Sequence, residues 1–290
     1  DGFLVKSHLA DAQLRLDQMA GLREEGAQPR PGEAVLRARV HRYSENPDAA
    51  REVLVEHVAR FGGDVDAHRE LGDMATTARD WALADTHWSR AAELDPEDGA
   101  ARLAATVAKQ WLTAEGGAAY APGALHDGYR MAARLLPEED DPIRLLVNLY
   151  PGDAARQIAA VDEVIADNPR AIWARVWKAY LLRQDADGGA GRALDVLSEA
   201  QRLAPGHEAV QVNRAETLLE LGRLEDAVRA YVECVESGEP GTRGGASDQL
   251  DLALHTSAGA REIPGELREH AYAVLCDRNP TVGRFGNNAG

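Results

Sequence analysis

The sequence predicts an all-α protein built from antiparallel helix hairpins stacked into a solenoid. Three observations carry this expectation. Aromatic residues make up only 5% of the chain while Ala is abundant, a composition suited to close-packed helices rather than to a Val-, Tyr- and Thr-rich sandwich. Apolar and small residues recur at helical spacing in short segments closed by Pro or Gly. One such pair of segments returns along the chain about every 34 residues.

The clearest pair is Asp64 to Asp98. Leu71, Gly72 and Ala75 lie on one face of a first helix, and Ala84, Trp88, Ala91 and Leu94 recur on a second that Pro96 closes. This order of Leu-Gly, then Ala, aromatic and Ala, then an exit Pro resembles the tetratricopeptide repeat. It departs from that family where His68 stands for an early Trp and Ala75 for a Tyr. The resemblance spans residues of about 31–240. It implies a right-handed superhelix of about six or seven helix hairpins that binds a protein or peptide on its concave side.

The 290 residues, 44% hydrophobic and 28% charged, suffice for a sizeable core in two domains or one long solenoid. Excess acid, 48 residues against 32 basic, gives a net charge of −16, a field that repels phosphate backbones and anionic lipid. Nucleic acid is therefore not an expected partner. Cys234 and Cys276 fit no zinc or redox spacing and are expected to pack as small apolar groups in helices. No run reaches the roughly 18 apolar residues of a membrane span, so no membrane insertion is expected. The opening residues lack a signal-peptide pattern, which favours the cytoplasm. With no initial Met, processing or a missing N-terminal piece stays open, and with it a periplasmic or extracellular location.

Residues 1–28 are expected to form a capping helix with Leu9, Ala12, Leu16 and Met19 on one stripe. Repeats are then expected over about 31–63, 64–98, 99–137, 138–169, 170–205 and 206–240. In the first copy Ala38, Ala50 and Leu54 fall where Gly72, Ala84 and Trp88 fall. The third copy keeps Leu125, Tyr129 and Ala132 but inserts a Gly-rich turn before them, and such rim insertions often touch partners. The fourth places Ile143, Leu146 and Tyr150 on one helix, and Ile158, Val161, Val164 and Ile165 on the next.

The fifth copy admits two registers. One buries Trp173, Val176 and Tyr180 and leaves Arg175 and Lys178 outside. The other turns Trp173, Trp177 and Tyr180 toward the groove and the two cations inward, which is costly unless they are paired, so the first is favoured. The sixth copy repeats the pattern through Ala215, Leu218, Ala227, Tyr231 and Cys234. Residues 241–278 are expected to hold a divergent helix pair, and 279–290 a tail.

No catalytic residue is nominated. His207-Glu208 lacks the second His four residues on that a zinc helix needs. His68 with Glu70, and Asp85 with His87, diverge on a helix, and His126-Asp127 is read as surface beside the insertion. Gly-rich segments 116–123, 188–191 and 241–245 lack a phosphate-loop pattern. No cofactor and no metal are expected.

What remains is a surface on the first helices. Arg39, Arg69, Asp73, Arg144, Asn148, Arg175, Lys178 and Asn213 are the expected partner-binding residues. Basic groups gathered in the groove of an acidic protein would hold a peptide carboxylate or acidic segment through charge-assisted hydrogen bonds, while a solvated helix face is the plainer reading. The family's carboxylate-holding pattern of Lys, Asn and Arg is not reproduced. The expected function is a non-enzymatic scaffold. A second reading is an accessory domain of a larger enzyme or regulator, and self-association is left open.

Overall fold

The computed structural model describes residues 31–117, 120–237, 244–255 and 263–278, with 11, 12, 14–16, 18 and 21 before them. Among the described residues there are fourteen bounded helices and no strand, in two compact units, Asp1–Leu136 and Pro137–Gly290. None of the described helices is long and apolar enough to cross a membrane. The expected N-terminal cap lies mostly outside the described residues, although Leu16 is buried. The expected tail lies wholly outside them.

The first unit contains three hairpins: α1 (Pro31–Tyr43) with α2 (Pro47–Arg60), α3 (Val65–Thr77) with α4 (Trp81–Leu94), and α5 (Gly99–Ala114) with α6 (Pro122–Leu135). Each helix packs on the next, and α1 also touches α3. Short polar side chains start four of these helices. Asn46, Asp64, Asp80 and Asp98 each accept a hydrogen bond from the backbone N–H three residues on, satisfying a donor the helix itself cannot.

Packing follows the small-against-large pattern of the sequence. A methyl group on Gly72 would lie 2.7 Å from the Trp88 ring, so only glycine leaves room for the indole, whose N–H donates to Thr76 at 3.0 Å. In the third hairpin Tyr129 fills the same role, fully buried, with its hydroxyl donating to Gln110. The inserted turn does not stand free. Tyr120 donates its hydroxyl to the Asp85 carboxylate, which also accepts from Ser89 and lies 2.9 Å from the Lys109 ammonium. Burial works against that carboxylate's charge, yet these three donors hold its pKa below the ordinary value, and Asp85 pushes the Tyr120 hydroxyl up to about 12.

Between α3 and α4 the rings of His68 and His87 meet Nδ1 to Nδ1 at 3.0 Å, so one bridging proton serves both. Burial holds both pKa values below the ordinary 6.5, helped at His68 by Arg90 and opposed there by Asp64. Below pH 6.5 the unfolded chain therefore binds protons at these sites that the folded chain refuses. Stability at this interface is expected to be full above 6.5 and to drop as pH falls toward the lowered folded values. Thermal unfolding across that range should show a shallower pH dependence for the His68→Asn/His87→Asn double variant than for the native chain. Equal slopes would remove the pair from the account.

The second unit contains α7 (Asp141–Val147) with α8 (Ala154–Asp167), α9 (Ile172–Arg183) with α10 (Gly189–Leu203), and α11 (Glu208–Glu220) with α12 (Leu224–Ser237). Against α12 pack α13 (Gly244–His255) and α14 (Gly265–Arg278). First helices are neighbours in space, α7 beside α9 and α9 beside α11. Ala215, Leu218, Ala227, Tyr231 and Cys234 are all buried, in a core shared with Leu250, Leu254 and Leu275.

Three expectations need correction. Tyr150 is not on a helix with Ile143 and Leu146, because α7 ends at Val147 and Tyr150 lies in the turn before Gly152, which has φ +78°. Cys276 is exposed rather than packed, whereas Cys234 is buried; the two are not joined in a disulfide. In the fifth copy Val176 is buried and Trp173 packs against the same core, as in the favoured register, but Tyr180 is 49% exposed and Arg175 only 4%, so the disfavoured register holds for those two residues. Its cost is met: the Arg175 guanidinium donates to Glu199 at 3.2 Å and to the Ala171 carbonyl at 3.4 Å. Ile172, Ala179 and Leu182 supply the core that Tyr180 does not.

Candidate functional site

The expected partner-binding cations are committed within their own units. In the first unit Arg39 and Arg42 both donate to Glu70, Arg42 also to Asp73, and Arg69 pairs with Asp98 at 3.1 Å. In the second, Arg144 pairs with Asp141, Lys178 with Asp162 at 2.6 Å, and Arg175 is buried on Glu199. Asn148 is exposed and caps α7 through its backbone N–H, which donates to the Arg144 carbonyl at 3.0 Å. Asn213 donates its side-chain amide to the Ala209 carbonyl at 2.8 Å.

Apart from Arg144 with Asp141, which lie within α7, these ion pairs bind one helix to another or to the start of a later one. Arg42 of α1 reaches Glu70 and Asp73 on α3, and Arg183 of α9 reaches Glu216 and Glu220 on α11. In both, one guanidinium spans two carboxylates a helical turn apart on the next first helix, a fork geometry suited to Arg rather than Lys. The neighbouring acids raise both guanidinium pKa values against the effect of burial. His126 and Asp127 lie on α6, and no group of three His, Cys, Asp or Glu able to hold a metal occurs among the described residues.

A different feature emerges on the first-helix face of the second unit. Trp173, Trp177 and Tyr180 recur at i, i+4 and i+7, which places them on one side of α9. With Val176, Asp140 before α7 and Asn213 on α11 they line a cavity of about 170 Å3. The Trp177 and Tyr180 rings meet at 80° with centroids 5.5 Å apart, forming a corner, and Trp173 lies edge-on to His207 at 5.2 Å. Burial is the main cause that lowers the His207 pKa, so this neighbour is held neutral.

Both indole N–H groups are already used. That of Trp173 donates to the Glu138 carbonyl at 3.0 Å, and that of Trp177 to the Asp140 carboxylate. The segment before α7, Glu138 to Asp140, is thereby tied to α9 and brings its acids beside the rings. Of the residues nominated from sequence, only Asn213 is in this cradle. Trp177 and Tyr180 were signalled by the second register of the fifth copy. Asp140 gave no signal, since its partner lies 37 residues away.

No protein-family model matches the sequence, and no curated protein does. Solved structures of similar fold include yeast Tom70, with TM-score 0.50 and 15% identity over 90% of this chain and 51% of that one. This chain thus spans about half the length of Tom70. Others are TTC0263, a thermophilic TPR protein in Thermus thermophilus (TM-score 0.42, 16% identity, 66% of this chain and all of that one), and YrrB, a TPR protein with an unusual peptide-binding site (TM-score 0.39, 16% identity, 71% and 97%). Hairpins of short helices, a small residue facing an aromatic one in the second hairpin, fully buried tyrosines in the third and sixth, and adjacent first helices give this chain a TPR-like, all-α repeat fold.

Proposed function

We propose that this chain is a non-catalytic interaction scaffold that holds a segment of a protein partner on the first-helix face of its second unit, the side that is concave in stacks of this kind. The observation that carries the reading is the aromatic cradle of Trp173, Trp177 and Tyr180, left open to solvent with Tyr180 half exposed. Large aromatic side chains presented together around a cavity are the groups that most often anchor a partner, because they bury much area at little loss of side-chain freedom. The nominated cations of the first helices are each paired with an acid of the chain itself, so the aromatic face is the better candidate for the contact surface.

Selection from a random peptide library on the full chain tests this reading. A recurring sequence should be enriched, and retention of the enriched peptides should be lost on the Trp177→Ala and Tyr180→Ala variants. Enrichment that both variants retain in full would sink the siting.

A further inference from the structure

We propose that the cradle on α9 accepts the basic side chain, Lys or Arg, of a peptide; this rests on the reading of the cradle as the partner-binding surface. The lining decides the chemistry. Trp177 and Tyr180 form two walls near a right angle, and the face of an aromatic ring attracts a cation placed over it. The indole N–H groups that would otherwise have offered donors are turned to Glu138 and Asp140.

The one charged side chain among the lining residues is an acceptor. Asp140 contributes a carboxylate, and Asn213 an amide that gives one N–H to Ala209 and keeps its carbonyl oxygen as an acceptor. A lysine ammonium or arginine guanidinium is donor-only and matches the Asp140 carboxylate, whereas a carboxylate ligand would meet its like charge. An apolar side chain would fill the ring corner but press on Asp140 without offering it a hydrogen bond. Arg144, paired with Asp141, also lies within electrostatic reach of Asp140, so a ligand cation shares that carboxylate with it, whereas Lys178 is paired with Asp162 and Arg175 with Glu199. Exposed Glu138 and Glu139, and the net charge of −16, add a field that draws a basic peptide in.

The test is a titration of the full chain, carrying 15N-labelled tryptophan, with the N-acetyl amides of lysine, arginine, norleucine and glutamate. The indole signals of its five Trp residues report which sites respond. The Lys and Arg probes should shift the Trp173 and Trp177 signals saturably, binding about five- to tenfold more tightly than norleucine. Asp140→Asn, which keeps an oxygen for the Trp177 indole, should erase most of that preference while norleucine binding stays. Tyr180→Leu, an exposed change, should reduce it independently.

Norleucine or glutamate binding as tightly as lysine overturns the proposal, as do shifts confined to Trp81, Trp88 and Trp111. If the peptides selected from the random library depend on Trp177 yet carry no basic residue, this inference fails and the interaction reading survives. If neither the probes nor any selected peptide engages the cradle, both fall.

Discussion

Truncating Tyr231 to alanine is expected to cost about 3–5 kcal/mol, because a fully buried aromatic ring leaves a cavity its neighbours cannot close. Tyr231 is completely buried on α12, at the centre of the core it shares with Leu218, Leu250 and Leu275. The phenylalanine variant should behave oppositely. The Tyr231 hydroxyl is buried with no hydrogen-bond partner among the described residues, and an unmet buried polar group costs about 1–3 kcal/mol. Tyr231→Phe should therefore leave thermal stability unchanged or raise it. Tyr129→Phe removes a hydroxyl that donates to Gln110 and should cost about 1 kcal/mol. Melting curves of the three variants decide the matter, and equal losses for the two Phe variants would contradict it.

A second large effect is expected at the turn between α9 and α10. A methyl group on Gly189 would lie 2.0 Å from the Leu182 carbonyl oxygen and 3.0 Å from its carbonyl carbon. These are backbone atoms at the end of α9, so relief requires the turn to open. Gly188 before it has φ +79°, which leaves the turn little room to adjust. Gly189→Ala is expected to cost about 3 kcal/mol, the upper end for an overpacked site. Gly191, two residues on and still in α10, would have nothing within 4 Å of its new methyl group. There alanine should stabilise by up to about 1 kcal/mol through helix propensity. The pair forms an internal control, and a Gly189→Ala chain that melts with the native one would show that the turn yields.

The all-α fold was legible where burial repeats within one hairpin. Ala84, Trp88 and Ala91, and likewise Ala227, Tyr231 and Cys234, carry spacing that survives any change of surface, since each position faces the preceding helix. Gly72 was legible for the same reason, being the space the Trp88 ring needs. Helix α9 was not. Trp173, Arg175, Trp177, Lys178 and Tyr180 are all long amphipathic side chains, able to lie on either side of the boundary. What settles them is Glu199, which meets Arg175 from 24 residues away.

The candidate site was illegible for the same physical reason. Its acid, Asp140, and its rings on α9 are joined only by a tertiary hydrogen bond, and the basic residues that stood out in sequence are paired with acids of the chain, all but Arg144 with one outside their own helix. One regularity does carry forward: an Arg on a first helix with two acids one turn apart about 30 residues later, as in Arg42 with Glu70 and Asp73, marks neighbouring first helices. Arg183 with Glu216 and Glu220 repeats it.

Calorimetric titration of a library-selected peptide into the full chain and two variants tests the central claim most directly, that the aromatic cradle rather than the basic first-helix residues holds the partner. Tyr180→Ala, at an exposed ring, should weaken binding by about 2 kcal/mol, roughly thirtyfold. Arg69→Ala, which removes only the pairing with Asp98 and Asp66 in the first unit, should leave the affinity within about twofold. Binding that survives Tyr180→Ala and collapses with Arg69→Ala would place the partner on the basic residues and contradict the account.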